Sequence, residues 1–291
     1  MKKLYGLLLS FLLVVGVTTS ANALVIFNDW SLNLDPITGF SGQVNNIWEI
    51  EYHGIAFAQT ADTNGDFLPS LGEYGSTDGK LQSTTYLDSF GNQQSWGSFA
   101  LTFDFSVNSV QINQPGLDFT HLAAGTDTGT SLNRDGILDL YIDDAADANA
   151  LTGEGYTDGI KIASFKVLAG GGGVFSPITG DGSDDATFEL VWAMDNVILD
   201  SAGKDLQDNI GTSSFTIGIT DSNFDAAPAG QTPFGGDWGA NYWTPAKSPI
   251  SFTTREDGSA SLGVVPEPGT LMLLGFGLLG LAGISRKKHN S

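Results

Sequence analysis

Apolar and polar residues alternate with a period of two along much of the chain. The run SFALTFDFSVNSVQI, residues 98–112, has one apolar face and one polar face. The apolar face carries Phe99, Leu101, Phe103, Phe105 and Val107, and the polar face carries Thr102, Asp104 and Ser106. Successive side chains of a strand point to opposite faces, so this pattern predicts a half-buried antiparallel strand.

The same alternation recurs in runs 46–59, 137–143, 160–168, 187–199 and 214–220, and no long amphipathic helix interrupts them. Clusters of Gly, Asn, Asp and Ser separate the runs, which is the turn chemistry that joins short strands. We therefore expect an all-β fold, an antiparallel β-sandwich or jelly roll.

Two irregular segments interrupt the strand pattern. The GGGG run at 170–173 is flanked by strand-like sequence, which favours a loop between two strands of one domain over a linker between domains. Residues 224–249 are rich in Pro, Gly and Trp and predict a long loop. Its aromatic residues Trp238, Tyr242 and Trp243 either cap the core or form an exposed patch that could contact a glycan.

The first 23 residues have the three parts of a secretory signal peptide. Two lysines precede an apolar stretch from Leu4 to Val17, and small residues end in Ala21-Asn22-Ala23. The apolar stretch is shorter than the roughly 20 residues of a membrane span, so cleavage by signal peptidase after Ala23 is expected.

The body of the chain is strongly acidic. Of the 12 cationic residues, Lys2, Lys3, Arg286, Lys287 and Lys288 lie at the two ends, and of the 33 acidic residues only Glu267 does. Residues 24–265 therefore keep 7 cations against 32 anions, a net charge of −25. Such a surface repels nucleic acids and attracts divalent cations or basic partners.

Because the chain has no cysteine, disulfides, thiol catalysis and cysteine-ligated metals are excluded.

One carboxylate-rich loop, DTNGDFLPSLGE at 62–73, has calcium-ligand spacing. It offers Asp62, Asn64, Asp66, Ser70 and Glu73 at positions 1, 3, 5, 9 and 12 of an EF-hand-type or dockerin-type loop. It departs from that pattern at Phe67, where the turn calls for glycine, and at Pro69. The alternative is an acidic Asx turn between two strands.

A second candidate calcium loop lies at 131–139. Asn133, Asp135, Gly136 and Asp139 match positions 3, 5, 6 and 9 of the calcium sites of FG-GAP-like proteins, which this segment resembles. Position 1 is Ser131 rather than Asp, which removes one charge. The alternative is a polar turn before the strand that begins at Ile137.

Signatures of enzymes are missing. There is no G-x-S-x-G, no H-E-x-x-H, no P-loop and no G-x-G-x-x-G after a strand. His53 and His121 are the histidines of the mature region, and His53 lies in a strand-like run. We therefore expect a protein that is not an enzyme, although a spatial pair of carboxylates, as in a glycosidase, has no sequence spacing that would expose it.

The run VPEPGTLMLLGFGLLGLAGISRKK at 265–288 ends the chain with an apolar segment and three cations. Residues 269–285 carry no charge over 17 residues, which as a helix cover roughly 26 Å, just short of a ~30 Å hydrocarbon core. Arg286, Lys287 and Lys288 follow at once, and cations beside a span stay on the cytoplasmic side. The run predicts a short transmembrane helix held transiently at the inner membrane.

This ending resembles the PEP-CTERM sorting signal. Pro266, Glu267 and Pro268 form the motif, and the glycine-rich apolar segment and the basic end follow in the family's order. The resemblance implies a Gram-negative exporter in which an exosortase recognises the motif and cuts near it. The protein then reaches the cell surface or the extracellular matrix. The predicted domains are 1–23, the signal peptide; 24–263, the acidic all-β domain; and 264–291, the sorting signal.

The acidic, cysteine-free β body is similar to the flocculation-associated PEP-CTERM proteins. That resemblance implies a non-catalytic matrix protein that supports floc or biofilm formation by association with exopolysaccharide. Calcium bridges between the two carboxylate loops and an acidic polysaccharide fit this role. The alternatives are a carbohydrate-binding module with exposed aromatics and a secreted polysaccharide hydrolase.

Overall fold

The structure is a computed structural model that describes residues 25–26, 29–66, 70–113, 117–144, 147–149, 154–175, 181–210, 215–226 and 250–264. The chain divides into two compact units, one made of Met1–Val25 with Val265–Ser291 and the other of Ile26–Val264. Of the first unit only Val25 is described. The fold and the sites described below belong to the second unit.

The described residues are almost entirely strands, so the all-β prediction is confirmed. A single turn of 3₁₀ helix, Gln207–Asn209, is the one helical segment among them. The strands are β1 Val25–Ile26, β2 Trp30–Asn33, β3 Gln43–Thr60, β4 Tyr74–Asp88, β5 Gln93–Ser95, β6 Ala100–Asn113, β7 Leu117–His121, β8 Ile137–Asp143, β9 Ile160–Val167, β10 Gly172–Phe175, β11 Asp181–Ala193, β12 Ile198–Leu199, β13 Phe215–Ala226 and β14 Ile250–Val264.

Eight of these strands close into an antiparallel barrel in the order β3, β4, β6, β8, β9, β11, β13 and β14. The closing step pairs β14 with β3, from Ile250 opposite Thr60 to Ala260 opposite Ile50. The predicted sandwich or jelly roll is therefore not confirmed. Strand alternation is the same in a sandwich and in a barrel, and only the pairing of the first long strand with the last one separates the two.

Two strands of the barrel divide their pairing between different neighbours. The first half of β6 pairs with β8, and its second half pairs with β7. In the same way β11 pairs with β9 along one part and with β10 along another, and β7 pairs with β10. The wall between β6 and β11 is thus formed by β8 and β9 at one end of the barrel and by β7 and β10 at the other.

Glycine makes the β7–β10 part of the wall possible. The GGGG run, expected to be a loop, supplies the first residues of β10, with Gly173 opposite Phe119 of β7 and Asp184 of β11. A Cβ atom at Gly173 would lie 1.9 Å from the carbonyl oxygen of Ser183. The strand can therefore lie this close to β11 only without a side chain.

The barrel interior is a packed apolar core. Three of the inward positions of β6 that alternation predicts, Leu101, Phe103 and Val107, are no more than 1% exposed. Phe105, also predicted on this face, is half-buried and packs against the core. Facing strands contribute further fully buried side chains, among them Ile50, Leu81, Leu138, Leu140, Phe165 and Phe188. Apolar burial on this scale is the main term that stabilises the fold.

An ion pair between a buried histidine and a partly exposed aspartate ties β7 to β11 beside this core. His121 Nε2 lies 2.9 Å from Asp184 Oδ1, and the histidine side chain is 1% exposed. Burial alone lowers the pKa of His121, but the charge and hydrogen bond of Asp184, with the charge of Asp185, outweigh it and raise that pKa. Glu256 of β14 lines the same small cavity and adds a further anion.

Truncation of Phe103 to alanine is predicted to destabilise the barrel by about 3–5 kcal/mol, because it removes a fully buried ring. The matched control is Phe90→Ala, since Phe90 is 84% exposed, and it should change the stability by less than about 0.5 kcal/mol. Urea unfolding followed by tryptophan fluorescence measures both. Equal midpoints for the two variants would contradict the packed interior.

Substitution of His121 by glutamine is predicted to cost stability in a pH-dependent way. The pKa of His121 is raised in the fold, so the contribution of the protonated pair is complete below the unfolded value of about 6.5 and is lost as the pH rises through the folded value. The difference in unfolding free energy between wild type and His121→Gln should reach about 1–3 kcal/mol near pH 6 and shrink above the folded pKa. A difference that does not vary with pH would show that the pair contributes by shape alone.

Candidate functional site

A groove of about 320 Å³ lies on the outer face of the barrel. Its floor is a row of outward-facing residues in register across three strands: Lys80 of β4 lies opposite Asp104 of β6, which lies opposite Asp139 of β8. Ser164 of β9 continues this row beyond the groove, opposite Asp139. Cross-strand neighbours on one face lie about 5 Å apart, so these groups influence one another directly. The groove is completed by Asp78, Gly79, Phe105, Ser106 and Ile137.

One wall of the groove is the loop between β7 and β8. Asn108 of β6 fastens this loop, because its Nδ2 donates to the carbonyl of Arg134 at 2.8 Å and to Asn133 Oδ1 at 3.1 Å. Its Oδ1 accepts from the Arg134 backbone N–H at 2.9 Å. The Arg134 guanidinium then forms a two-point pair with Asp78, with Nε–Oδ1 2.8 Å and NH2–Oδ2 2.7 Å. This hydrogen bonding raises the pKa of Arg134.

The other wall is the connection between β8 and β9, of which residues 147–149 and 154–159 are described. Tyr156 anchors it: the side chain is 2% exposed, and its carbonyl accepts a hydrogen bond from Thr102 Oγ1 at 2.7 Å. Burial raises the pKa of Tyr156 to about 12. Lys80 Nζ lies 5.9 Å from the centroid of this ring, within cation–π range.

The carboxylates of the groove differ in their partners. Asp139 accepts hydrogen bonds from Lys161 Nζ at 2.9 Å and from Ser164 Oγ. Asp104 receives no hydrogen bond from the described residues. Burial is the main reason that the pKa of Asp104 is raised; Lys80 opposes this effect, and Asp139 and Asp78 add to it. Among the three aspartates of the groove, Asp104 is therefore the one whose carboxylate has no hydrogen-bond donor in the described part of the chain.

Tyr141 stands beside this row on β8, opposite Thr102. Burial first, and the charges of Asp139 and Asp104 after it, raise the pKa of Tyr141 to about 12. The phenol therefore stays protonated at neutral pH, where it can both donate and accept a hydrogen bond.

A cluster of three carboxylates lies in the β8–β9 wall. Asp143, Asp147 and Asp158 each place an oxygen within 4.8 Å of the others, the one such group of three among the described residues. Asp143 is 2% exposed and the other two are exposed. Hard oxygen ligands at this spacing suit Ca²⁺, which would also relieve the repulsion of three like charges.

Sequence reasoning missed this cluster because its members follow no calcium-loop spacing. Asp143 ends β8, and Asp158 precedes β9 at the far end of the connection. Only the pairing of β8 with β9, Ile142 opposite Ile160, brings the two ends of that connection together. The density of acidic residues in the run DDAADANALTGEGYTDG, 143–159, was the one available signal.

The predicted loop at 62–73 does gather its polar side chains, but they bind one another. Asn64 Nδ2 donates to Asp66 Oδ2 and to Ser70 Oγ, both at 3.0 Å. Asp62 Oδ1 accepts from the Gly65 backbone N–H at 2.7 Å. Asp62, Asp66 and Glu73 do not form a group with oxygens within 4.8 Å of one another in the described part of the chain.

Glu73 closes this loop through the backbone. It is 3% exposed, and Oε1 accepts from the N–H and hydroxyl of Thr63 at 2.7 and 2.9 Å. Oε2 accepts from the Ser70 N–H at 2.8 Å. These contacts are those of an acidic residue that shapes a turn, the alternative stated for this loop.

The second predicted set, at 131–139, is spread over the groove wall and floor. Asn133 Oδ1 accepts from Asn108 Nδ2, whereas Asp139 lies opposite Asp104 in the β6–β8 pair. Asn108 and Asp104 are four residues apart on one strand, about 13 Å. Ser131 and Asp135 are exposed in the loop. The structure therefore does not bring these four residues to one point.

Several predicted sites lie outside the described residues. They are the cleavage residue Ala23, the aromatic residues Trp238, Tyr242 and Trp243, and the sorting residues Pro266, Glu267, Pro268, Arg286, Lys287 and Lys288. None of the helical segments in the described ranges has the length and apolar character that crossing a membrane requires.

Comparison with known proteins identifies one segment. The family model of the PEP-CTERM protein-sorting motif matches residues 264–287. No curated protein and no solved structure matches the chain. The matched segment contains the Pro-Glu-Pro triplet, the apolar run and the start of the basic end in the order expected from the sequence. The chain therefore carries a PEP-CTERM protein-sorting motif, which implies an exported protein that is processed by an exosortase.

Proposed function

We propose that this protein is a non-catalytic component of the surface or extracellular matrix of a Gram-negative cell. In this proposal the exosortase releases it from a transient inner-membrane tether, and it then supports floc or biofilm formation by association with exopolysaccharide. The observation that carries the proposal is the attachment of a sorting motif, 264–287, to one strongly acidic barrel. The signal peptidase and the exosortase are its partners during export.

The charge of the body supports a role among polymers and ions. Residues 24–265 carry 32 acidic residues and 7 cations, which keeps the protein soluble and draws cations to its surface. Divalent cations can link such a surface to acidic polysaccharides, because each ion takes oxygen ligands from both polymers. The same charge disfavours contact with nucleic acids.

Calcium assistance is proposed at the Asp143, Asp147 and Asp158 cluster rather than at the loops expected from sequence. The oxygens of this cluster converge within 4.8 Å, whereas the carboxylates of loop 62–73 are satisfied by hydrogen bonds within that loop. The cluster also lies in the wall that holds Tyr156 against the barrel. A bound ion would therefore order the groove as well as bridge to a polymer.

A carbohydrate-binding module is the second candidate, and the groove is the observation that favours it. Its volume of about 320 Å³ falls at the lower end of the 300–1,000 Å³ that is typical of small-molecule sites. The two roles overlap, because a protein that binds one sugar of a matrix polymer also holds that matrix.

Calcium is predicted to raise the melting temperature of the wild-type protein by about 5–10 °C when present at a hundredfold excess over its dissociation constant. Asp158→Asn should lose most of this increase. Asp144→Asn is the matched control, since Asp144 is an exposed neighbour in the same connection outside the cluster, and it should keep the increase. Differential scanning calorimetry with Ca²⁺ and with EDTA measures all three.

The same experiment with Asp62→Asn separates the two candidate loci. Loss of the calcium effect in Asp62→Asn but not in Asp158→Asn would move the ion to the loop expected from sequence. An unchanged wild-type melting temperature with Ca²⁺ and EDTA would remove calcium from the proposal.

Deletion of the gene in its native host is predicted to slow floc settling, and the full-length gene should restore it. A version that lacks residues 264–287 should not, because the protein loses the signal that the exosortase reads. Settling rate and fractionation into membrane, matrix and medium are the measurements. Normal settling after full deletion would overturn the matrix role, and normal localisation of the truncated protein would overturn the role of the motif.

A further inference from the structure

We propose that the groove over β4, β6 and β8 binds an amine-bearing sugar unit, whose ammonium group donates to the carboxylate of Asp104. This inference rests on the proposed association with exopolysaccharide and names the class of polymer that the groove selects. The ligand is a chain of amino sugars with free amines.

Of the three aspartates in the groove, Asp104 is the one whose carboxylate is left for a ligand. Asp78 is held by the guanidinium of Arg134 at 2.7–2.8 Å. Asp139 is held by Lys161 and Ser164. Asp104 lies between them on the same face and takes no hydrogen bond from the described residues. A partly buried carboxylate without donors is costly, and a ligand that supplies them recovers that cost.

The charged groups around Asp104 favour a cationic ligand. The groups that face Asp104 are Lys80 of β4, Asp78 of β4, and Asp139 and Tyr141 of β8, with Arg134 and Lys161 paired behind them. Lys80 lowers the pKa of Asp104, yet burial and the two aspartates raise it above its ordinary value. A further cation at this point is therefore favoured over an anion, and the net charge of −25 over residues 24–265 favours it also.

The lining of the groove suits a sugar ring. The groove has a floor of carboxylates and the Ser106 hydroxyl, with apolar surface from Gly79, Phe105 and Ile137. Gly79 lies opposite Phe105, and a Cβ atom at Gly79 would lie 2.2 Å from the Phe105 ring, so a side chain there would displace the ring. Mixed apolar and hydrogen-bonding surface is what a pyranose ring needs, since it has apolar faces and a polar rim.

The test uses two oligosaccharides of equal length and linkage, one of glucosamine and one of N-acetylglucosamine, titrated into the full-length protein in a calorimeter. Only the glucosamine oligomer should bind. Asp104→Asn should weaken that binding about 10- to 100-fold, the loss expected for one charge-assisted hydrogen bond. The control Asp195→Asn removes an equally negative but exposed side chain on the β11–β12 turn and should leave the affinity unchanged.

A pH series adds a second readout. Wild-type affinity should fall as the pH is lowered through the raised pKa of Asp104, since the neutral acid no longer attracts an ammonium group. The affinity of Asp104→Asn should not show this step. Thermal unfolding of Asp104→Asn without ligand should be no lower than that of wild type, because the substitution removes an under-satisfied charge, and this result excludes misfolding.

Three outcomes would overturn the inference. Equal binding of the two oligomers would remove the ammonium contact. Equal losses in Asp104→Asn and Asp195→Asn would reduce the binding to general attraction by an acidic surface. Binding of neither oligomer would remove the groove as an amino-sugar site, while the settling assay with the gene deletion separately decides whether the protein acts in the matrix.

Discussion

The pairing of β14 with β3 is the constraint on which the rest of the structure depends. These strands lie almost two hundred residues apart in sequence, and their pairing runs from Ile250 opposite Thr60 to Ala260 opposite Ile50. Once they pair, the eight barrel strands form a closed sheet, and the inward side chains of facing strands pack into one core. The outward rows, including Lys80, Asp104 and Asp139, are fixed in register by the same closure.

Closure alone would leave the outer face of β6 open to water, yet parts of it are buried. Thr102 is 0% exposed and Asn108 is 2% exposed, because each hydrogen-bonds a connection that folds back over the barrel. The groove is the interval between these two covered positions. Its floor residue Asp104 is two residues from Thr102 and four from Asn108, so one strand sets the spacing of both walls and the site between them.

The sequence predicted the local features of the fold well and the long-range ones poorly. The alternation around Phe103 correctly predicted which face of β6 is buried. Barrel closure was not predictable, because it depends on a pairing between distant strands that leaves no mark on the alternation of either. The GGGG run was predicted in part: Gly170 and Gly171 lie in the connection between β9 and β10, whereas Gly172 and Gly173 begin β10. Gly173 can pair there because it has no Cβ atom, for which its neighbours leave no room. Local glycine content does not carry that information.

The candidate sites also divide into a local one that the sequence predicted and a long-range one that it did not. The loop at 62–73 was predicted as a unit and is one, since Glu73 binds back to Thr63 and Ser70. The groove unites residues from β4, β6 and β8, which no spacing rule connects. Of the 7 cations in residues 24–265, three line or adjoin this groove, namely Lys80, Arg134 and Lys161. In a body of net charge −25, cations so concentrated allow three aspartates to share one groove and leave only Asp104 to meet a ligand.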